Sequence, residues 1–351
     1  MFCPYGILQP MFITPQKILI IQTAFPGDVV LTLPLVQVLH KNFPTSQIDF
    51  LTIPKAAELL QNHPAIHSTI IYDKRKTQKG VGQIFHLAKK LRQQKYALAI
   101  IPHRSLRSAV IAFLSKIPMR IGFSTSAGKI FFTHKILYRK DYHEIERNLS
   151  LLEPFRFNIS TKEFPNLYPS LQDEKIVKDF LVEKNLNSFV AIAPGSVWKT
   201  KRWLKEKFSE LAKELVHLNI SVVLIGGKED EQLCEEIRNT VNNEKIYNVA
   251  GKFTLLQSAE ILRKSRVLIS NDSAPQHLAV AMRTPIIAIF GATVPEFGFY
   301  PYGEKDIIIE KKNLSCRPCG IHGGNICPEK HFDCMKTIEV DEVFNAVKKF
   351  L

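Results

Sequence analysis

From Lys17 onward the chain repeats one pattern: a short apolar, β-branched run, a loop, and then a stretch with one apolar stripe at helical spacing. Runs that are apolar throughout are typical of strands buried on both faces of a sheet. Because parallel neighbours need a crossover connection, this alternation predicts parallel sheets covered by helices. The predicted strands are 18–22, 48–52, 69–72 and 97–101, then 190–193, 221–225, 246–249, 267–270 and 286–290.

The pattern is interrupted between Glu153 and Lys184, where three prolines occur and few apolar residues recur. We therefore predict an α/β chain of two Rossmann-like domains that face each other across a cleft. The predicted divisions are an N-terminal extension (1–16), a first domain (17–165), a linker (166–185), a second domain (186–335) and a C-terminal helix (336–351) that crosses back to the first domain.

The charge balance predicts an anionic partner. The 351 residues include 47 Lys and Arg against 33 Asp and Glu, a formal net charge of +14. Nucleic acid, a nucleotide, a phosphorylated glycan and an anionic membrane surface all fit such a surface. With 45% hydrophobic and 23% charged residues, the composition excludes a wholly disordered chain.

The ends of the chain carry two further features. The first sixteen residues are apolar, but they lack a basic start and an Ala-x-Ala-like cleavage site, so we predict a loose cytosolic extension. No apolar run approaches the ~20 residues of a spanning helix. Near the other end, Cys316, Cys319, Cys327 and Cys334 are predicted to be reduced thiols that order a loop, with a structural zinc as an open alternative.

The loop after the first strand offers a candidate base. Gly27 allows close approach of the backbone to a ligand, and Asp28 stands at the start of the following helix. Asp28 is either an N-cap, which the spacing alone favours, or a general base that accepts the proton of an attacking hydroxyl.

Two loops of the second domain predict an anion site. Residues 193–203 (APGSVWKTKRW) combine a small-residue turn at Gly195 and Ser196 with three cations, which suits a diphosphate. Residues 270–277 (SNDSAPQH) lead from a strand into a helix, whose first N–H groups and positive dipole end favour phosphate. Asp272 and Ser273 are also good helix caps, and His277 lies one turn further on.

Three segments in this order, GDVVLTLP (27–34), APGSVWKTKRW (193–203) and NDSAPQHLAVAMRTPIIAIFGAT (271–293), resemble the bacterial lipopolysaccharide heptosyltransferases of glycosyltransferase family 9. The resemblance runs from about Lys17 to the C terminus, and the cysteine cluster is most similar to the heptosyltransferase II branch. It implies a GT-B fold, an ADP-L-glycero-D-manno-heptose donor, an inner-core acceptor built on lipid A and Kdo, and inversion at the anomeric carbon. It also implies no metal and no other cofactor.

The resemblance assigns roles to individual positions. Asp28 matches the proposed base of the family, Lys201 its diphosphate-binding lysine, and Asp272, Ser273 and His277 its phosphate and sugar loop. Ala274 stands where the family usually has Gly, and because Ala is still small we expect binding to be retained. The predicted donor-binding residues are Gly195, Ser196, Lys199, Lys201, Asp272, Ser273, Ala274 and His277.

Arginines of the first domain are candidates for the acceptor. Arg104, Arg107 and Arg120 could bind its carboxylates and phosphates, although they could equally be ordinary surface residues. For the donor ribose, the acidic run 229–231 beside Gly226 and Gly227 offers three carboxylates, without a choice among them. A cytoplasmic enzyme, peripheral at the anionic inner face of the inner membrane, fits the basic charge.

Two other functions compete. A basic nucleic-acid-binding protein with a four-cysteine zinc module would explain the charge, but only Cys316 and Cys319 form a close pair and no RNA-recognition signature is present. We therefore expect no nucleic-acid partner. A family 9 transferase of the heptosyltransferase I or III type, with a different acceptor, is the second alternative. A dehydrogenase is disfavoured because no G-x-G-x-x-G follows either opening strand.

Overall fold

The computed structural model describes residues 14–159 and 161–351. The chain divides into two units, with the boundary between Pro165 and Asn166. The predicted N-terminal extension lies outside the described residues as far as residue 13.

The first unit is one parallel six-stranded sheet in the order β3-β2-β1-β4-β5-β6. The order reverses beside β1, so that β1 pairs with both β2 and β4 and its carboxyl end lies at a switch point. Its elements are β1 (Lys17–Ile21), α1 (Pro26–Asn42), β2 (Gln47–Thr52), α2 (Pro54–Ala57), β3 (Ser68–Ile71), α3 (Val81–Gln93), β4 (Leu98–Ile101), α4 (Leu106–Leu114), β5 (Met119–Phe123), β6 (His134–Ile136) and α5 (Glu144–Ser150).

The second unit repeats this topology, with the sheet order β12-β11-β10-β7-β8-β9 and all pairs parallel. Its switch point lies between β7 and β10, which are paired. Its elements are α6 (Leu171–Glu183), β7 (Phe189–Ala193), α7 (Lys205–His217), β8 (Ser221–Leu224), α8 (Glu231–Val241), β9 (Ile246–Asn248), α9 (Leu255–Lys264), β10 (Leu268–Asn271), α10 (Ala274–Ala281), β11 (Ile286–Phe290), β12 (Ile307–Glu310), α11 (Asp333–Lys336) and α12 (Val340–Val347).

The predicted strands match observed strands to within one residue at each end. Three edge or near-edge strands, β5, β6 and β12, were not predicted. β5 begins with Met and Arg and contains Gly122, and β6 has only three residues, so neither forms a continuous apolar run. Both units are α/β sheets with the strand order of a doubly wound fold.

The predicted linker contains a structural element of the second unit. Residues 171–183 form α6, which packs against α9. Ser170 caps α6 by accepting a hydrogen bond from the Asp173 N–H at 3.1 Å, and the Gln257 amide donates to the Asp173 carboxylate at 3.0 Å. The prolines around Pro169 therefore precede a helix start, where proline is well tolerated.

The last helix packs on the second unit, in contrast to the predicted crossing to the first domain. Val343 and Val347 of α12 are fully buried in the core that α7 and β11 share. The Trp203 indole N–H donates to the Ile338 carbonyl at 3.2 Å, which attaches the approach to α12 to the same core. An apolar helix stripe is buried against the nearest open sheet face, and here that face belongs to the second sheet.

Among the described residues, no helix combines the length and the apolar character that crossing a membrane requires.

Candidate active site

Asp28 lies at the third position of α1 and is half-buried. Its Oδ2 atom accepts a hydrogen bond from the Phe25 N–H at 3.1 Å, and Phe25, not Asp28, is the N-cap residue. The predicted N-cap position is therefore wrong by one turn, although the carboxylate does satisfy a donor at the helix start.

Lys74, which follows β3, contacts the loop that follows β1. Its Nζ atom donates to the Thr23 carbonyl at 2.6 Å, which places an ammonium group beside the start of α1. Burial lowers the pKa of Lys74, the nearby Arg107 lowers it further, and Asp28 acts in the opposite direction. Carboxylate and ammonium thus share one electrostatic environment at the carboxyl ends of β1 and β3.

A second carboxyl group lies close to Asp28. Glu144 begins α5 and forms an ion pair with Arg147, at 3.0 Å between Oε2 and Nη1. Burial raises the pKa of Glu144 to about 7; Arg147 opposes this rise and Asp28 adds to it. The Arg147 and Arg104 guanidinium carbons lie 4.9 Å and 4.2 Å from the centre of the Tyr138 ring.

His103 lies in the loop that follows β4, at the carboxyl edge of the first sheet. Its Nδ1 atom lies 3.0 Å from the Thr23 hydroxyl and 3.2 Å from the Ser108 hydroxyl. Burial, with Lys74 and Arg104 nearby, lowers the pKa of His103 to about 4. The imidazole is therefore neutral at neutral pH and holds the loop rather than adding charge.

Of the three predicted acceptor arginines, the structure places Arg104 and Arg107 just after β4 but leaves Arg120 apart from them. Arg120 pairs with Ala99 in the amino-terminal half of the sheet. Its guanidinium donates to the backbone carbonyls of Ile117, Pro118 and Phe131, the last at 2.7 Å. Arg120 therefore fastens the β5–β6 region, because its place on the strand directs it away from the carboxyl ends where ligands bind.

In the second unit, Asp272 is the centre of the predicted anion site. Its buried Oδ2 atom lies 2.5 Å from Lys201 Nζ and accepts a hydrogen bond from the Thr293 hydroxyl at 2.7 Å. Its Oδ1 atom accepts from the Gln276 amide at 3.0 Å. Asp272 is therefore an ion-paired anchor of this loop and not a helix cap.

Asn271 fixes the two predicted loops to each other. Its Oδ1 atom accepts from the Trp203 N–H at 2.9 Å, and its amide donates to the Pro194 carbonyl at 2.8 Å. Ser273 is the N-cap of α10, and its side chain makes no capping hydrogen bond. Ala274 is the first residue of α10, so the small side chain stands where the helix N–H groups begin.

The three cations of the 193–203 loop have different surroundings. Lys201 pairs with Asp272, Lys199 is exposed, and the Arg202 Nε–H donates to the Ser196 carbonyl at 2.7 Å. The space above Gly195 is filled by protein, since a Cβ atom there would lie 2.1 Å from Asp230 Oδ1. Gly195 is therefore required by Asp230, whereas the sequence suggested a close approach by a ligand.

His277 is buried and without charge at neutral pH. Burial lowers its pKa to about 4, and the neighbouring Asp272 and Lys201 act in opposite directions. Among the described residues, His277 Nδ1 and Gln276 Oε1 are buried atoms with no hydrogen-bond partner. His277 can therefore offer a hydrogen bond to a ligand, but not a positive charge.

The three carboxylates considered for the ribose also differ. Asp230 Oδ2 accepts from the Gly227 N–H at 3.0 Å, Glu231 forms an ion pair with Lys228, and Glu229 is exposed. Asp230 is the one that packs against the turns after both β7 and β8.

The cysteine-containing loop is attached to these site residues. The Thr200 hydroxyl accepts from the Gly324 N–H at 2.7 Å, the Arg317 guanidinium donates to the Thr293 carbonyl at 2.7 Å, and the Cys319 N–H donates to the Ala292 carbonyl at 2.9 Å. Cys316, Cys319, Cys327 and Cys334 are free thiols, and within residues 14–159 and 161–351 no three His, Cys, Asp or Glu side chains are arranged to hold a metal ion. Hydrogen bonds order this loop, and the structural zinc stays an alternative prediction.

Comparison with known proteins identifies the family. The family model described as glycosyltransferase family 9 (heptosyltransferase) matches residues 84–325, which is more than half of the chain. The chain belongs to glycosyltransferase family 9. Lipooligosaccharide heptosyltransferase 2 of Haemophilus influenzae is 29% identical over 309 residues, which cover 84% of this chain and 88% of that protein.

Solved structures establish the fold. The family 9 glycosyltransferase of Veillonella parvula superposes with a TM-score of 0.86 at 22% identity, covering 95% of this chain and 97% of that one. ADP-heptose LPS heptosyltransferase II of Escherichia coli gives a TM-score of 0.80 at 22% identity, covering 95% and 98%. The fold is GT-B, and the protein is a family 9 glycosyltransferase, as the resemblance implied.

Sequence reasoning missed several residues around the family 9 motifs. Lys74 and Thr293 both follow strands at their carboxyl ends, so the rule used for Asp28 and Asp272 could have found them. Glu144 gives no such signal, because its place beside Asp28 depends on α5 packing against α1.

Proposed function

We propose that this enzyme transfers L-glycero-D-manno-heptose from its ADP-activated form to the inner core of lipopolysaccharide, with inversion at the anomeric carbon. The observation that carries the proposal is the Lys201–Asp272–Thr293 cluster at the start of α10, within the matched family region. Similar proteins are named for heptose transfer to lipooligosaccharide and for the ADP-heptose donor with lipopolysaccharide, and these names support the same donor and acceptor.

The second unit binds the donor in this proposal. The leaving diphosphate is stabilised by Lys201 and by the positive end of the α10 dipole, where the Ser273 side chain makes no capping hydrogen bond. Asp272 holds the Lys201 ammonium in place through a 2.5 Å contact. Ala274 keeps the helix start accessible, and His277 contributes as a neutral hydrogen-bonding group.

The first unit supplies the base. The acceptor hydroxyl oxygen forms a bond to the anomeric carbon as the bond from that carbon to the diphosphate oxygen breaks. Asp28 accepts the hydroxyl proton, and ADP leaves with the bonding electron pair. Lys74, which lies in the same electrostatic environment, stabilises the Asp28 carboxylate before the proton arrives.

Arg104 and Arg107 are proposed to bind the anionic acceptor. Both follow β4 at the carboxyl edge of the first sheet, and guanidinium groups suit carboxylates and phosphates. Arg120 is left out because its guanidinium already donates to three backbone carbonyls.

The test is transfer by the purified enzyme from ADP-heptose to a series of truncated lipopolysaccharides that carry no, one or two core heptoses. We expect one acceptor to be strongly preferred and the product linkage to be inverted. Transfer is also expected to persist in excess chelator, and a loss that Mg²⁺ or Mn²⁺ restores would contradict metal-free catalysis. No transfer to any of these acceptors would contradict the proposed function.

The enzyme is further proposed to act in the cytoplasm, peripherally at the inner face of the inner membrane.

A further inference from the structure

Positive charge is concentrated in one of the two units. Residues 1–165 contain 22 Lys and Arg against 9 Asp and Glu, a formal net charge of +13. Residues 166–351 contain 25 against 24, a net charge of +1. The basic character of the whole chain is therefore a property of the first unit.

Within the first unit, one long segment contains no acidic residue. Residues 74–140 include 16 Lys and Arg and not a single Asp or Glu. This segment builds α3, β4, α4, β5, the 3-10 turn Lys129–Phe131 and β6. A solvated surface normally mixes both signs of charge, so a segment without acidic residues indicates an anionic partner.

The helices of this segment lie on one face of the first sheet. Leu87 and Leu91 of α3 and Ala109 and Ala112 of α4 are buried in the same core. The 3-10 turn packs beside α4, where the Phe113 and Phe131 ring centres are 5.0 Å apart. Helices α3 and α4 and the turn therefore form one continuous outer layer, which we call the α3–α4 face.

Large apolar side chains on this face point to solvent. Val81 and Phe85, one turn apart on α3, are 68% and 57% exposed, and Ile130 in the turn is 79% exposed. Leu106 and Phe113 of α4 are 51% and 45% exposed, because they lie on the opposite side of the helix from its buried residues. The same elements and the loops beside them carry six exposed cations: Lys79, Lys89, Lys90, Arg92, Lys116 and Lys129.

We propose that the α3–α4 face docks on an anionic phospholipid bilayer. Apolar side chains at intervals, surrounded by Lys and Arg without acidic residues, match the interfacial region of such a membrane: the apolar groups enter the headgroup layer and the cations attract anionic lipid. A small dissolved anion would be bound by the cations but would leave Phe85 and Ile130 exposed to water. The proposal assigns a surface to the peripheral association suggested above, and it does not depend on the chemical reaction.

The position of this face fits the proposed acceptor. Helix α4 begins at Leu106, directly after the loop that carries Arg104, and Arg107 belongs to its first turn. A lipid-anchored acceptor would therefore meet the acceptor-binding arginines at the edge of the docked face.

The experiment measures cosedimentation of the full chain with vesicles. One variant removes apolar contacts (Phe85→Ser with Ile130→Ser), and a second removes charge (Lys89→Gln, Lys90→Gln and Arg92→Gln). The matched controls carry the same kinds of change on the second unit: Leu171→Ser with Val182→Ser, at positions that are 86% and 70% exposed, and Lys178→Gln with Lys213→Gln and Lys252→Gln. Circular dichroism and thermal unfolding verify that all variants are folded.

We expect binding to vesicles that contain phosphatidylglycerol, little binding to pure phosphatidylcholine, and release by high salt. Each Lys or Arg near an anionic surface strengthens binding by roughly fivefold, so the charge variant should bind at least about tenfold more weakly. The apolar variant should also bind about tenfold more weakly, and the controls should bind like the unchanged protein.

Unchanged binding by both variants, or equal binding to neutral and anionic vesicles, would overturn the proposal. Tight binding to single-stranded DNA without vesicle binding would also overturn it. Transfer to a deacylated core oligosaccharide separates the two proposals: the variants should match the unchanged protein there, whereas the absence of transfer by every protein would refute only the proposed function.

Discussion

Asp28 combines two tasks that a single substitution can separate. Asn in its place retains an oxygen that can accept the Phe25 N–H, but it cannot take up a proton at neutral pH. We expect Asp28→Asn to lower turnover by about 100-fold or more while the free energy of unfolding changes by less than ~1 kcal/mol. Steady-state kinetics and urea unfolding measure the two effects. Near-normal turnover in this variant would mean that another group acts as the base.

Lys201 and Lys199 lie two positions apart, yet the structure gives them unequal roles. Lys201 contacts Asp272, whereas Lys199 is exposed. We expect Lys201→Met to lower kcat/KM for ADP-heptose by about 100-fold, because the charge of the leaving diphosphate loses its partner. Lys199→Met should lower it by no more than about threefold, since exposed charge pairs contribute little. Comparable losses in the two variants would contradict the role given to Lys201.

At the scale of elements, the loop between β12 and α11 positions the donor site through backbone contacts. The Thr200 hydroxyl bonds to both the N–H and the carbonyl of Gly324, at 2.7 and 2.9 Å, and Thr200 precedes Lys201 in the chain. Arg317, whose side chain is buried, pairs with Glu310 at 2.9 Å and reaches the Thr293 carbonyl. The loop thus fixes both neighbours of the Asp272 carboxylate.

Thr200→Val is expected to loosen this attachment. It removes the hydroxyl and leaves the Gly324 N–H without its partner, which should lower the free energy of unfolding by about 1–3 kcal/mol. The misplaced Lys201 should lower kcat/KM by roughly tenfold. Thr200→Ser keeps the hydroxyl and serves as the control, with near-normal activity. Equal activity in the Val and Ser variants would show that the loop does not position Lys201.

At the scale of the whole molecule, buried titratable groups give the two units different responses to acid. In the first unit, burial raises the pKa of Glu144 to about 7, and it lowers the pKa values of His63 and His103 to about 4. The Glu144 contribution to stability is full below pH ~4.5 and is lost as the pH rises through 7, whereas the histidine contributions are lost as the pH falls from 6.5 towards 4. These opposite slopes partly cancel between pH 5 and 6.5.

In the second unit, His277 responds to acid in the same direction as His63 and His103 of the first unit. Its pKa of about 4, against 6.5 in an unfolded chain, means that the unfolded state binds a proton first as the pH falls. We expect the second unit to lose roughly 1 kcal/mol of stability per pH unit as the pH falls from 6.5 towards 4, and His277→Gln to remove this slope. Trp198 and Trp203 are the only tryptophans in the chain, so urea unfolding followed by their fluorescence reports on this unit. The same slope in both proteins would contradict the assignment to His277.

The sequence by itself determined the two parallel sheets and the loops that carry the family 9 motifs. Continuous runs such as Ile286–Phe290 are buried on both faces, and their wholly apolar composition predicts that burial. Loops at strand ends then locate Asp28, Lys201 and Asp272 by topology alone, because parallel strands present their carboxyl ends at one edge.

Only the tertiary structure decided which groups these residues meet. Asp28 gained Lys74 and Glu144 as neighbours, Asp272 gained Lys201, and Arg120 was drawn away to backbone carbonyls at the other half of its sheet. The packing of α12 on the second sheet was decided in the same way. Periodicity specifies which face of an element is buried, but the partner of that face depends on contacts between residues far apart in sequence, which no local pattern encodes.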